Sequence, residues 1–242
     1  MSRHPHPPDH HAAGKLLGRG VHLITASTPN GLKVQIYLEE LKILYGTEYT
    51  QTTLDIRTNS QKNPWFLKLN PAGQLPILID NTQTPPFPVI ESAADLLFLF
   101  KEHDKIPAFG FTDDFGRSEC LQWLFFWHGT GQPVQGQLTW FAENAKDNTF
   151  ALTHFKTELL RIYAALEFHF SGKYTGRVKE YLAGRAAGKY SVADMAAWPW
   201  VSEWRASGEV SEEDMRAFPH LLEWIERIGQ RPAVRQAVGL QS

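Results

Sequence analysis

The chain of 242 residues contains a single cysteine, Cys120. That excludes an internal disulfide and a C-x-x-C redox motif, so any thiol chemistry must use a thiol brought in from outside. Net charge is just as scarce: 24 Lys and Arg against 26 Asp and Glu leave −2, with a pI near 6.6. Such a balance offers no broad positive field to a phosphate backbone, which argues against nucleic acid as a partner. Long apolar runs are missing too. Leu96 to Phe100 and Trp123 to Trp127 are far too short to span a bilayer, and no charged-then-apolar segment opens the chain. The expectation is a soluble cytoplasmic protein that does not engage a membrane. No repeat of solenoid period is visible.

What is present suffices for a substantial core, since 43% of the residues are apolar and 12% aromatic. Residues 1–20 are rich in His, Pro and Gly and read as a disordered extension. Its His4, His6, His10 and His11 are irregularly spaced, and no metal site is expected of them. Val21 to Thr25 alternates as a first strand, followed by Ala26-Ser27-Thr28-Pro29-Asn30-Gly31 and a helix with Val34, Leu38 and Leu41 on one face. Tyr49 to Ile56 reads as a second strand and Pro64 to Leu69 as a short helix.

Residues 21–104 thus form an αβ unit, and 105–112, with Pro107 and Gly110, form a linker. Residues 113–242 are helical, with helices over Asp113 to about Asn148, Thr149 to about Ser171, Ser191 to Ala206 and Phe218 to Gly229. Ser191-Val192-Ala193-Asp194 has the form of a capping box behind Tyr190, a structural role.

The densest local signals lie between Pro71 and Ser92. Gly73-Gln74-Leu75-Pro76 runs into the apolar strand Ile77-Leu78-Ile79. A proline at the strand entry cannot donate to the ladder, so Leu75 keeps main-chain groups that need another partner, such as a bound peptide. Asp80 to Pro86 is a turn, Phe87 to Ile90 a returning strand, and Glu91-Ser92 passes directly into a helix. A helix start of this kind offers free N–H groups and a positive dipole end to a carboxylate, with the Ser92 hydroxyl as a further donor.

The turn at Ser27 to Gly31 carries a second possibility. A donor at a helix N-terminus is what a thiolate requires: a free thiol titrates near ~8.5, and lowering that by about two units takes roughly 2.7 kcal/mol of preference for the anion. A charge-assisted hydrogen bond together with a helix terminus supplies it. Local evidence by itself favours reading Thr28 and Asn30 as plain helix caps.

Together these motifs resemble the glutathione transferases. The order strand, Leu-Pro, β-turn-β, Glu-Ser, helix is similar to the glutathione-binding half of their thioredoxin-like domain. Ser-Thr-Pro-Asn-Gly resembles the motif of the bacterial Nu-class and fungal Ure2-like members, as do Trp198-Pro199-Trp200 and Arg231-Pro232-Ala233-Val234. The resemblance covers about residues 21 to 240. It implies a thioredoxin-like N-terminal domain, an all-α C-terminal domain and a homodimer, with glutathione as co-substrate. By the same resemblance Pro76 is cis and Leu75 pairs through its backbone with the cysteinyl part. Glu91 and Ser92 hold the γ-glutamyl end, Gln61 meets the glycine carboxylate, and Thr28 and Asn30 approach the sulfur with Ser27 as a spare donor.

The helix carrying Trp123 to His128 and Gly129 to Pro133 is too aromatic and glycine-broken to be a plain surface helix. Part of it should line a cavity. The resemblance names Phe126, Trp127, Gln132 and Trp140 as candidates for an apolar substrate pocket, against core or dimer packing. Relatives carry an Arg on the next helix, where alignment places His154, a weaker anion holder and a possible proton donor. The implied activities are conjugation of an apolar electrophile, or reversible addition giving cis/trans isomerisation as in fungal secondary metabolism. Glutathione-dependent peroxide or disulfide reduction and a non-catalytic regulatory role are the alternatives.

Overall fold

The computed structural model describes residues 20–239. The extension expected over residues 1–20, with its histidines, lies outside them but for Gly20. Strands β1 (Val21–Thr25), β2 (Tyr49–Thr53), β3 (Ile77–Asp80) and β4 (Phe87–Ile90) form one sheet in the order β2-β1-β3-β4. β1 pairs with β2 in parallel, and the other two pairings are antiparallel. Parallel neighbours need a crossover, which α1 (Pro29–Tyr45) provides.

Side-chain alternation decides what each face of the sheet does. Leu23 of β1 and Leu78 of β3 point into the large core shared with α1, whereas Ile24, Ile77 and Ile79 meet Phe66 on the other face. Phe66 belongs to the short α2 (Pro64–Leu67), and α3 (Ser92–Glu102) follows β4.

The second half is helical throughout: α4 (Asp114–Phe126), a π-helical segment (Trp127–Gly131), α5 (Gln132–Asn144), α6 (Thr149–Ser171), α7 (Val192–Val201), α8 (Glu212–Met215), α9 (Pro219–Gly229) and α10 (Pro232–Ala237). The single helix expected from Asp113 to about Asn148 is therefore two helices joined by a π turn, ending at Asn144. Gly131 closes the π turn. A Cβ there would come within 2.4 Å of the Trp127 ring, so the glycine lets a fully buried indole lie against the backbone. The helix expected over Ser191 to Ala206 stops at Val201. Pro199 inside it has no N–H to give, and the chain turns away shortly after.

Helix α7 is the centre of the molecule. It packs on α1 and α3 from the N-terminal half and on α4 from the C-terminal half, so a single core runs through both. Its start is held by Asp194, which accepts from Ser191 N–H at 3.0 Å and the Ser191 hydroxyl at 3.1 Å, the Asp half of the expected capping box. Tyr190 packs edge-on against Phe109 and lies under the Arg231 guanidinium, 3.8 Å away. Among the described residues no helix is long and apolar enough to cross a membrane.

Candidate functional site

A cleft of about 530 Å³ opens where the sheet's β1–α1 and β3 ends and the start of α3 face the π segment and α7. It lies within the roughly 300–1,000 Å³ usual for small-molecule sites. The residues expected to hold glutathione, Gln61, Leu75, Pro76, Glu91 and Ser92, all line it, as do Thr28 and Asn30.

At one end, Thr28 is the N-cap of α1. Its Oγ1 accepts from Gly31 N–H at 3.2 Å, which leaves the hydroxyl proton for another acceptor. Asn30, at the second helical position, does not cap. Its Oδ1 accepts from the Trp200 indole N–H at 3.0 Å, an interdomain bond, and its Nδ2 is free to donate. Close approach of α1 to the end of β1 requires Gly31, since a Cβ there would stand 2.2 Å from Thr25 Oγ1 and 2.5 Å from the Ala26 carbonyl. Ser27 is exposed and does not line the cleft. Two donors therefore converge beside a helix N-terminus, an arrangement that favours an anion.

In the middle, the Leu75–Pro76 peptide bond is cis, in keeping with the expectation. The Leu75 main chain takes no hydrogen bond from another main-chain group among the described residues, so an extended ligand can pair with it. At the far end, Glu91 has φ 75° and ψ 114°, a backbone conformation costing on the order of 1–3 kcal/mol for a residue with a side chain. It turns the chain from β4 straight into α3, whose first N–H groups start at the cleft-lining Ser92 without intrahelical partners.

Behind this wall lies a residue that the sequence reading passed over. Lys33 is completely buried, and its ammonium donates to Ser92 Oγ at 3.4 Å and to Gln132 Oε1 at 2.5 Å. Burial pushes its pKa down to about 7, and the nearby Glu91 carboxylate opposes that fall. In its charged form Lys33 can only donate, so Ser92 then accepts from it and keeps its own O–H for the cleft. His128 of the π segment also lines the cleft. Its Nε2 lies 3.9 Å from Glu91, its Nδ1 is buried without a partner, and burial followed by Lys33 holds its pKa below the ordinary histidine value.

Gln61 sits at the rim, where its Nε2 donates weakly to the Ile56 carbonyl at 3.4 Å and its Oε1 is buried without a partner. Beside it Lys62, also unforeseen, donates to the Ala72 and Gly73 carbonyls at 3.2 and 2.8 Å and adds a cation to the lining. Of the residues expected for a substrate pocket, Gln132 alone lines this cleft. Trp127 is in the core, Phe126 packs on Trp123, and Trp140 and His154 are exposed on α5 and α6. Helical spacing identifies a face but does not say which neighbour covers it. Among the described residues no three His, Cys, Asp or Glu side chains are grouped to hold a metal ion. Cys120 is buried against the Ser191 hydroxyl at 3.7 Å and does not line the cleft.

A thioredoxin-like sheet joined to an all-helical domain, with a cleft of this lining between them, is the architecture of the glutathione transferase class. Residues 21–101 match the family model for the glutathione S-transferase N-terminal domain. Disulfide-bond oxidoreductase YfcG of Escherichia coli (strain K12) is 31% identical over 222 residues, covering 90% of this chain and 94% of YfcG. Glutathione S-transferase 2 of Schizosaccharomyces pombe (strain 972 / ATCC 24843) is 31% identical over 178 residues, 72% of this chain and 71% of that protein. The structure of glutathione transferase URE2P6 from Phanerochaete chrysosporium, in complex with oxidized glutathione, superposes with a TM-score of 0.79 at 30% identity. The match covers 91% of this chain and 96% of that one. The chain belongs to the glutathione S-transferase superfamily.

Proposed function

We propose that this protein is a glutathione-dependent enzyme that ionises the thiol of bound glutathione and presents the thiolate to a small electrophile. The observation carrying this reading is the pair of uncommitted donors, Thr28 Oγ1 and Asn30 Nδ2, at the N-terminus of α1. Glutathione lies with its glycine carboxylate at Gln61, its cysteinyl backbone on Leu75 and its γ-glutamyl end on Glu91 and Ser92. That path leads its sulfur toward Thr28 and Asn30.

The polar lining supports a disulfide as the electrophile. The thiolate attacks one sulfur of the disulfide and expels the other as a thiolate, forming a mixed disulfide. A second glutathione then releases the remaining half as a thiol and leaves as oxidised glutathione. Two glutathiones lose their thiol hydrogens and one disulfide is reduced to two thiols. Because Cys120 is buried away from the cleft, both reducing thiols come from glutathione. The name of YfcG and the oxidized glutathione of URE2P6 accord with this reading.

A second reading, conjugation or reversible addition to an apolar alkene, is favoured by the apolar residues Pro29, Ile56 and Trp200 in the same lining. The test is an ultraviolet titration of bound glutathione across pH, wild type against Asn30→Ala, followed by turnover of a small disulfide and of a chloronitrobenzene. A thiol ionising at least one unit below its free value, with the shift reversed by Asn30→Ala, is the expected result, and the faster substrate selects between the readings. Binding without ionisation would point instead to a non-catalytic, Ure2-like regulatory protein, and absence of binding would overturn the proposal.

A further inference from the structure

We infer that Trp200, on the helical domain, is a positioning residue for thiol activation: its indole N–H locks the Asn30 amide in the one orientation that turns an N–H donor to the cleft. The inference rests on the reading of the cleft as a thiolate site and adds to it a residue that acts on the sulfur through Asn30.

A primary amide is ambidentate. Its oxygen and nitrogen are nearly the same size, and a swap of the two turns a donor into an acceptor. An Asn beside a nascent thiolate stabilises the anion only with Nδ2 facing it; with Oδ1 facing it, the amide repels it. Trp200 resolves the choice because an indole N–H can donate and cannot accept. Its Nε1 lies 3.0 Å from Asn30 Oδ1, and turning the amide over would set two donors against each other. Among the described residues the Asn30 side chain has no other hydrogen-bond partner, so this contact alone sets its orientation.

Trp200 is itself anchored by bonds whose directions are equally fixed. Its main-chain carbonyl, which can only accept, takes Gln135 Nε2–H at 2.6 Å. Gln135 Oε1 therefore faces the other way and accepts from the Tyr163 hydroxyl at 3.0 Å. Tyr163 is fully buried and Gln135 is 4% exposed. The Trp200 ring rests near Gly136, where an added Cβ would stand 3.6 Å from it. A line of donors thus runs from the core of the helical domain across the interface to Asn30.

The experiment compares Trp200→Phe, which keeps a ring and removes the N–H, with Asn30→Ala and with the double variant. Two quantities are read: the pKa of bound glutathione by thiolate absorbance, and the affinity for S-methylglutathione, which has no thiol to ionise. The expected result is a three- to tenfold loss of thiolate fraction at neutral pH in Trp200→Phe, S-methylglutathione affinity unchanged within twofold, and no further loss when Trp200→Phe is added to Asn30→Ala.

A shift in Asn30→Ala without one in Trp200→Phe overturns the positioning role and leaves the thiolate reading standing. No shift in Asn30→Ala overturns both. A Trp200→Phe effect that persists in the Asn30→Ala background, or that appears equally in S-methylglutathione affinity, makes Trp200 a packing residue and overturns the inference. Should Trp200→Phe not fold, Gln135→Met, which removes one donor to the tryptophan's carbonyl and leaves that of Glu203 N–H at 3.1 Å, is read in the same way, with a smaller loss in the same direction expected.

Discussion

Asp194 and Lys33 are both buried ionisable side chains at the centre of the molecule, and the fold treats them oppositely. Asp194 receives four hydrogen bonds, from Leu182 N–H and Trp224 Nε1 on one oxygen and from the Ser191 N–H and hydroxyl on the other. Among the described residues the Lys33 ammonium has two hydrogen-bond partners, one of them at a long distance, and both accepting groups also line the cleft. A buried polar group whose partners are all internal specifies structure; one whose partners are shared with an open cleft is poised for a ligand. Burial outweighs those four bonds and raises the Asp194 pKa to about 6, and it outweighs the Glu91 carboxylate and lowers that of Lys33 to about 7. The same desolvation acts on each, and the hydrogen-bond inventory separates their roles.

The largest effect that would sharpen this contrast is expected from Asp194→Ala. It leaves the Leu182 and Trp224 donors buried and unpaired, at about 1–3 kcal/mol each, so chemical denaturation should show a loss of about 3 kcal/mol or more. Glutathione affinity of the remaining folded protein should not change. A loss under 1 kcal/mol would break the comparison.

Lys33→Met should act the other way round. The folded-state pKa of Lys33 lies below its ordinary 10.5, so between about 7 and 10.5 the native protein holds fewer protons than the unfolded chain. Stability therefore rises with pH across that window. Lys33→Met should flatten this slope and leave the protein at least as stable at pH 7, while weakening glutathione binding by about 1.5–3 kcal/mol through loss of a charge behind Ser92. Calorimetry and thermal melts at pH 7 and 9 read both. Unchanged affinity would make Lys33 a second Asp194.

Gln61→Ala, at the rim, should weaken glutathione binding by about 1 kcal/mol with little effect on folding, since only a 3.4 Å bond to the Ile56 carbonyl is lost internally. A binding titration suffices to check it. The smallest effect belongs to His154→Ala. The side chain is exposed beside Phe150, and stability and glutathione affinity should stay within about 0.5 kcal/mol of wild type. A substantial loss of turnover would show that α6 reaches the reacting atoms after all.

Much of the cleft was legible because its parts are local. Thr28, Pro29 and Asn30 open a helix, Leu75-Pro76 enters a strand, and Glu91-Ser92 joins a strand to a helix; each signal is complete within a few residues. Lys33 and Lys62 escaped because nothing near them in the sequence marks them, whereas His128 and Trp200 lie in stretches that were singled out without those residues being picked from them. Lys33 reads as one polar position on an otherwise apolar helix face, and Trp200 reads as one more aromatic in a buried helix. The aromatic helix misled for the converse reason. Phe126, Trp127 and Trp140 have the right chemistry for a pocket, but the π turn at Trp127–Gly131 directs Trp127 into the core and brings His128 and Gln132 to the cleft.

Local hydrogen-bonding needs and side-chain periodicity, both written in short stretches of sequence, determined the strands, the helix starts, the capping box before α7 and the turns at Thr28, Leu75-Pro76 and Glu91-Ser92 that line the cleft. The tertiary structure alone decided which neutral groups become directed donors. The orientations of the Asn30 amide and the Ser92 hydroxyl are set by Trp200 and Lys33, 170 and 59 residues away in the chain. Which end of a polar group faces a ligand depends on what its other end meets, and that is settled when the two domains pack.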